Sequence, residues 1–216
     1  MVISVKKTMH TRFLALVLSA VLLLPALAGC SKKTGAEKDL AYPIDGEPVC
    51  LDPQIAADET AKLVTGNCFE GLVRLDESGA IVPGAAQRWD VSADGRTYTF
   101  HLREGMKWHI ADSDELEELL GKGKTIDTTL NAEDFAFGLK RALLPETGMA
   151  SAKALYAIEN AQAVHRGTAR SDQLGVRVVN ASTLEIRLAR ADSAFLYALT
   201  LPMSMPCDEA FFLATS

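Results

Sequence analysis

Three pairs of short segments, each pair joined by a turn sequence, indicate a sheet built from hairpins. In the second pair Tyr98, Phe100 and Leu102 alternate with polar residues, which predicts a strand with one buried face. Gly, Asp, Asn and Ser residues between the paired segments are typical of tight turns. We therefore predict three antiparallel hairpins, formed by residues 72–75 with 80–82, 89–91 with 97–102, and 175–179 with 183–188.

Helical patterns separate these hairpins. Asn131 is a predicted N-cap, and Asp134 stands at the third helical position, which is the spacing of a capping box. The helix that follows should bury Phe135, Leu139 and Leu143 on one face. Further helices are predicted at Ile55–Phe69, Asp112–Leu120, Ser151–Val164, from Asp192 or Ser193 to Leu201, and from Asp208 onward. Strands and helices interleave, so we predict a mixed α/β fold rather than a doubly wound sheet.

The first thirty residues have the composition of an export signal. Three basic residues precede the apolar run Phe13–Leu24, which at about a dozen residues is shorter than the ~20 needed to span a membrane. Leu27-Ala28-Gly29-Cys30 looks like a bacterial lipobox. A buried core helix would explain the apolar run, but not the basic start, the small residues and the cysteine together.

The predicted organisation follows from this leader. Residues 1–29 are a lipoprotein signal peptide, residues 30–39 are the lipidated Cys30 with a polar tether, and residues 40–216 are the folded domain. A diacylglyceryl group on Cys30 would hold the protein in the cell membrane on its extracytoplasmic face. The chain stops within the helix predicted after Asp208, so we expect it to be the N-terminal part of a longer protein.

Charge narrows the range of partners. The net charge is −6 and includes the three basic residues of the leader, so the remainder of the chain is more acidic still. An acidic surface disfavours nucleic acid and anionic lipid, and neither is predicted as a partner.

Three cysteines remain once Cys30 is assigned to the anchor. Export permits disulfides, and Cys50 and Cys68 flank a strand-to-helix excursion that returns on itself. We predict a bond between them, which would stabilise the fold by about 3 kcal/mol in the chain-entropy model. Cys207 would then pair with a residue outside these 216. No Cys-x-x-Cys pair is present, so no structural zinc site is predicted.

Motifs for enzyme chemistry are not formed. Gly121-Lys-Gly-Lys-Thr125 has the last letters of a phosphate loop, but Glu118 stands where that motif needs its first glycine. His101, His109 and His165 are accompanied by no nucleophile elbow and no His-Glu-x-x-His pair. The acidic run Asp112–Glu118 lacks the glycine and oxygen spacing of a calcium loop. We predict no catalytic residue, no metal and no cofactor.

A set of motifs in a fixed order resembles a known family. Together they are similar to the bacterial extracellular solute-binding proteins of family 5, the peptide- and nickel-binding receptors of ABC importers. One departure is Ile110–Leu130, which is longer than the corresponding turn in many members. The motifs are Leu51-Asp-Pro53, Cys68-Phe-Glu-Gly-Leu72, Pro83-Gly-Ala-Ala86, Asp94-Gly95, Tyr98-Thr-Phe-His-Leu-Arg103, Lys107-Trp108, Ala132-Glu-Asp-Phe135, Lys140-Arg-Ala-Leu143, Leu174-Gly-Val176 and Thr183-Leu-Glu-Ile186.

The resemblance implies a class II periplasmic-binding-protein-like lobe whose second lobe is missing here. It also implies two ligand-contacting segments, which in this sequence are Ala56, Ala57, Asp58 and Glu59, and Met149, Ala150 and Ser151. The first segment is expected to meet a peptide edge to edge, like an added strand. Asp58 or Glu59 is a candidate partner for a peptide amine, but both residues are equally well explained as first-turn residues of a helix.

The function implied is that of a receptor that passes oligopeptides to the permease subunits of an ABC importer. Nickel, sugar or another cargo on the same fold is an alternative, and so is a receptor that senses peptides without importing them. An exported lipoprotein hydrolase is the enzyme alternative, and no group of residues supports it.

Overall fold

The protein is described by a computed structural model over residues 41–109, 127–148 and 150–215, together with Glu117, Leu120 and Gly121. The predicted signal peptide, Cys30 and the tether lie outside the described residues, as does most of the predicted helix at Asp112–Leu120. From Ile44 onward, the described residues form one compact unit. Within the part of the chain described, no helix has the length and apolar character that crossing a bilayer requires.

All three predicted hairpins are confirmed. Strands β1 and β2 form a two-stranded sheet by themselves. The other two hairpins join through β4 and β6 into a four-stranded sheet of order β3-β4-β6-β5, in which every pairing is antiparallel. The strands are β1 Val73–Leu75, β2 Ile81–Pro83, β3 Ala86–Val91, β4 Thr97–Leu102, β5 Val176–Asn180 and β6 Thr183–Arg187.

One face of this sheet forms the core. The alternation in β4 has the predicted consequence, since Tyr98, Phe100 and Leu102 are buried. Phe100 is opposite Leu184 of β6, and both are 0 % exposed. Burying a side chain of this size stabilises the fold by roughly 1.5–3 kcal/mol before packing is counted. The central strands therefore hold the sheet by apolar contacts.

Helix α2, Ala132–Ala142, packs against β5 and β6. The predicted helix α2 has the predicted capping box, in which the Asn131 side chain accepts from the Glu133 amide and Asp134 accepts from the Asn131 amide. The helix that precedes it among the described residues, α1, covers Glu59–Cys68. Phe135, Leu139 and Leu143 are fully buried, as the sequence pattern indicated.

Three of the predicted helices differ from those in the structure, and the first two are α1 and the segment from Ser151 to Val164. Helix α1 begins at Glu59 rather than Ile55, because residues 53–55 form a turn and Asp58 is the N-cap. The segment predicted as one helix from Ser151 to Val164 is a 3₁₀ helix, Ala150–Leu155, followed by the short helix α3, Ala161–His165. Asn160 separates them with a left-handed φ of 63°, a conformation that asparagine tolerates better than most residues and that interrupts a helix.

The last part of the chain is made of short helical pieces. Helix α4 covers only Phe195–Ala198, less than the predicted span to Leu201. A 3₁₀ turn, Pro202–Ser204, follows and contacts α2. Helix α5, Glu209–Thr215, begins after Asp208 as predicted, and the Asp208 carboxylate accepts from the Phe211 amide.

Candidate ligand-binding segment

The predicted ligand-contacting residues Ala56–Glu59 follow a tight turn at Asp52. The Asp52 carbonyl accepts from the amides of Ile55 and Ala56 at 3.0 and 2.8 Å. Its carboxylate also accepts from the Gln54 amide at 3.0 Å. Asp52 thus fixes the start of the segment through both its main chain and its side chain, an Asx-type turn that suits a position directly before proline.

Helix α1 fixes the other end of the segment. The Asp58 carboxylate accepts from the Ala61 amide at 2.8 Å and from the Val49 amide at 3.3 Å. The bond from Ala61 is the main reason that the pKa of Asp58 is lowered. Glu59 pairs with Lys62 one turn later, at 2.7 Å. Asp58 is therefore the N-cap of α1 and Glu59 lies in its first turn, while a role for either carboxylate with a peptide amine stays a prediction.

Ala57 and Glu59 are exposed, whereas Ala56 is buried and Asp58 is half-buried. Within the residues that the structure describes, neither the N–H nor the C=O of Ala57 forms a backbone hydrogen bond. Exposed main-chain groups between two fixed ends are what an extended peptide needs for edge-to-edge pairing.

Arg141 of helix α2 binds the side chains of the turn at Asp52. Its guanidinium forms a two-pronged ion pair with Asp52, in which Nη1 donates to Oδ1 at 2.8 Å and Nη2 donates to Oδ2. Nη1 also donates to Oε1 of Gln54 at 2.8 Å. Arg141 is only 8 % exposed, and its bonds to Asp52 are the main reason that the pKa of Arg141 is raised.

Gln54 and Arg141 also contact the last part of the described chain. Gln54 donates through Nε2 to the Met205 carbonyl at 2.9 Å. The Arg141 guanidinium lies over the Phe212 ring, 4.2 Å from its centroid. We call Asp52, Gln54, Arg141 and the Met205 carbonyl the polar junction, because together they join three separate parts of the chain.

A glycine lets helix α2 approach this last segment closely. A Cβ at Gly138 would overlap the carbonyl oxygen of Met205, so no other residue fits there without movement. One turn earlier, the Cys207 amide donates to the Asp134 carbonyl at 3.0 Å. Asp134, Gly138 and Arg141 lie on one face of the helix at spacings of four and three residues. That face therefore contacts the segment from Met205 onward as well as the Asp52 turn.

Asp134 is a buried acid on this face. Its carboxylate accepts from the Asn131 amide at 2.9 Å and from the Trp108 indole at 3.4 Å. Burial is the main cause that raises the pKa of Asp134 to about 6, and the nearby carboxylate of Asp208 contributes. Burial also raises the pKa of the Cys207 thiol to about 11.

The predicted disulfide between Cys50 and Cys68 is contradicted, because both residues have free thiols, as does Cys207. The Val49 amide bonds to Asp58 at the start of α1, whereas Cys68 is the last residue of that ten-residue helix. At ~1.5 Å per residue the two ends are about 15 Å apart, whereas a disulfide needs Cα atoms about 4.4–6.8 Å apart. The predicted partner of Cys207 lies outside these residues and stays a prediction.

The second predicted segment is only partly described. Met149 lies outside the described residues, and Ala150 and Ser151 begin the 3₁₀ helix Ala150–Leu155. Among the described residues, no backbone–backbone hydrogen bond joins that helix to residues 52–59. A surface depression of about 340 Å³ beside α2 also contains none of the predicted ligand residues; it is lined by Glu133, Ala136, Phe137, Lys140, Arg141, Leu144, Ser171, Val178 and Glu209. Nowhere in the described ranges are three His, Cys, Asp or Glu side chains grouped to hold a metal ion.

Comparison with known proteins settles the family. Residues 80–211, more than half of the chain, match the sequence profile of the bacterial extracellular solute-binding proteins, family 5, middle region. The chain belongs to family 5 of the bacterial extracellular solute-binding proteins.

Two curated family 5 relatives and one solved structure show how far the similarity extends. The periplasmic murein peptide-binding protein MppA of Escherichia coli K12 is 40% identical over 177 residues, which is 81% of this chain and 30% of MppA. The probable deoxycholate-binding periplasmic protein YgiS of the same organism is 32% identical over 203 residues, 92% of this chain and 35% of YgiS.

The solved structure is the substrate-binding domain of an oligopeptide ABC transporter from Bacillus anthracis. It superposes with a TM-score of 0.67 at 32% identity, over 77% of this chain and 29% of that structure. The mixed α/β fold of a solute-binding lobe is therefore confirmed. The chain spans about a third of the length of these family 5 proteins.

The structure brings two of the sequence motifs into contact. Asp52 belongs to the Leu51-Asp-Pro53 motif and Arg141 to the Lys140-Arg-Ala-Leu143 motif, and these two residues form the buried ion pair. Sequence reasoning assigned neither of them a role. An arginine on the same helix face as Asp134 and Gly138 was the available signal, since a charged residue seldom occupies a buried face without a partner.

Proposed function

We propose that this chain forms part of an extracytoplasmic receptor that binds oligopeptides and delivers them to an ABC importer. Family membership supports a binding protein rather than an enzyme. The similar proteins named above include a murein peptide-binding protein and the substrate-binding domain of an oligopeptide ABC transporter. Peptide is therefore the cargo that the comparisons favour.

The observation that carries the proposal is the exposed main chain at Ala57, between the Asp52 turn and the N-cap of α1. A peptide can pair with these main-chain groups whatever its own side chains are, since backbone pairing does not depend on sequence. Residues 56–59 are the proposed first contact segment, and residues 149–151 are proposed to border the same cleft.

The experiment is calorimetry with a pool of short peptides, using the product of the complete reading frame that contains these 216 residues. Ala57→Pro should abolish binding, because proline has no N–H to donate. Ala57→Ser keeps the main-chain N–H and is the control. Its dissociation constant for peptide should lie within about twofold of the wild-type value, well below the tenfold change that ~1.4 kcal/mol produces. Unfolding curves check that both variants fold. Equal binding by the proline variant would refute the segment.

A second cargo class is favoured by one observation. The relative YgiS is named as a probable deoxycholate-binding protein, and this chain is 32% identical to it. A response to deoxycholate with no response to the peptide pool would keep the receptor and change its cargo. Nickel and oligosaccharides belong in the same titration. Signalling without import would be indicated if deletion of neighbouring permease genes left the peptide response intact.

We also propose that Cys30 carries a lipid anchor after removal of residues 1–29. The sequence Leu27-Ala28-Gly29-Cys30 supports this. The wild-type protein and Cys30→Ala should be expressed in a bacterium that processes lipoproteins. Wild type should incorporate labelled fatty acid and sediment with membranes, whereas Cys30→Ala should do neither. Identical labelling of the two would refute the anchor.

A further inference from the structure

The polar junction lies directly beside the proposed contact segment. Asp52 and Gln54 both bond to Arg141, and only Ile55 separates Gln54 from Ala56. The Asp52 carbonyl in turn accepts from the amides of Ile55 and Ala56. The orientation of Asp52 therefore sets the orientation of the main chain that leads into Ala57.

Arginine suits this position because of its shape. The planar guanidinium presents several N–H donors in a fixed fork, so it binds both carboxylate oxygens of Asp52 and the Gln54 amide oxygen at once. Lysine keeps the charge but has no such fork. Phe212 covers the guanidinium, which further limits how it can turn.

The energy of the junction points to a role beyond stability. A buried ion pair contributes little net stability compared with apolar residues of the same volume, because desolvation offsets the attraction between the charges. The ion pair instead restricts the local conformation, because its hydrogen bonds form in only one arrangement of Asp52 and Gln54. Apolar side chains in its place would fill the space without holding the turn.

We propose that Arg141 is a positioning residue for ligand binding: through Asp52 and Gln54 it sets the conformation of residues 55–58 in which the Ala57 main chain is presented to a peptide. This inference rests on the proposed function. The proposed role of Arg141 is exerted through Asp52 and Gln54 and not by contact with the ligand, because only 8 % of Arg141 is exposed.

The first test compares Arg141→Lys with wild type in the product of the complete reading frame. We expect Arg141→Lys to weaken peptide binding about tenfold or more, equivalent to ~1.4 kcal/mol. In the ligand-free protein, hydrogen exchange at the amides of Ile55 and Ala56 should become at least about tenfold faster, while amides of β4 keep their protection. Lys140→Met, on the adjacent residue, should change neither readout.

A double variant separates positioning from simple stability. Asp52→Leu with Arg141→Met replaces the ion pair by apolar residues, and we expect unfolding stability near that of wild type but peptide binding still weakened about tenfold. Wild-type binding by the double variant, or unchanged exchange at Ile55 and Ala56 in Arg141→Lys, would overturn the proposal. If wild type binds no peptide, the proposed function fails, and the exchange of Ile55 and Ala56 still decides whether Arg141 positions the segment.

Discussion

Helix α2 has two buried faces that are held by different kinds of interaction. One face presents Phe135 and Leu139, which are fully buried in the core cluster that includes the sheet. The other presents Asp134, Gly138 and Arg141 to the segment that begins at Met205. The first face is held by apolar contacts without preferred direction, and the second by hydrogen bonds and an ion pair whose geometry is fixed.

This difference teaches where the fold obtains its stability and where it obtains its shape. Apolar burial scales with area and tolerates small rearrangements. At the second face, loss of one partner of a polar contact costs free energy, because the other partner is left buried without a hydrogen bond. We therefore expect the core face to control folding and the polar face to control the geometry of the candidate site.

The largest effect is expected on the core face. Phe135→Ala should lower the free energy of unfolding by about 3–5 kcal/mol, because it removes a fully buried ring and leaves a cavity. Phe137→Ala is the matched control on the same helix, where the ring is half-buried and contacts the Phe212 ring of α5. Urea unfolding measures both. An equal loss in the two variants would show that burial on the core face does not dominate.

A smaller loss is expected at the polar junction. Asp52→Asn keeps the shape but leaves the Arg141 charge buried without a counter-charge. We expect a loss of about 2–3 kcal/mol, below the ~3–5 of a fully buried pair, because the Asp52 side chain is 27% exposed.

Asp172→Asn is the control for Asp52→Asn. Asp172 also pairs with an arginine, Arg170, but its side chain is 60% exposed. Breaking an exposed pair should cost less than about 1 kcal/mol. Thermal unfolding compares the two variants directly, and equal costs would mean that the polar junction contributes no more than a surface ion pair.

The secondary-structure elements and the polar junction also differ in how far the sequence predicted them. The alternation at Phe100 and the capping box at Asn131 were predicted correctly, because both depend on residues within one turn or one strand. The break at Asn160 was missed because a single residue in the left-handed region leaves no periodic signal. Local patterns thus define most of the elements but not their interruptions.

The ion pair of the polar junction could not be predicted in the same way. Asp52 and Arg141 are 89 residues apart, and nothing in either local pattern specifies the other partner. The predicted bond between Cys50 and Cys68 is wrong for a related reason: the strand-to-helix excursion was expected to return on itself, whereas α1 separates its two ends. Polar contacts over long distances along the chain require the tertiary arrangement, which the hairpins and helices alone leave open.

Close approach at Gly138 gives the third prediction. Gly138→Ala should destabilise by about 1–3 kcal/mol, because the added methyl group would overlap the Met205 carbonyl. Gly66 is the matched control, since it also lies in a helix and has open space around it. Gly66→Ala should stabilise by up to about 1 kcal/mol through helix propensity. Chemical denaturation distinguishes these opposite signs, and a neutral Gly138→Ala would contradict the close packing.

The last prediction is a pH dependence at Asp134. Burial raises its pKa from 3.8 to about 6, so the folded state holds this proton more tightly than the unfolded state. The contribution of Asp134 to unfolding free energy is therefore greatest below pH 4, falls as pH rises through 6, and stays constant above. Relative to Asp134→Asn, wild type should lose about 1–3 kcal/mol across this range.

The difference between wild type and Asp134→Asn is the quantity to measure, since other carboxylates act in the opposite direction. Hydrogen bonds lower the pKa values of Asp58 and Asp76, so these groups favour the folded state more as pH rises. Glu133→Gln, which removes a carboxylate at the exposed neighbouring position, is the matched control variant. Urea unfolding at steps from pH 4 to 8 gives the profile. A flat difference for Asp134→Asn would mean that water reaches this carboxylate, and that the polar face of α2 is more open at Asp134 than at Arg141.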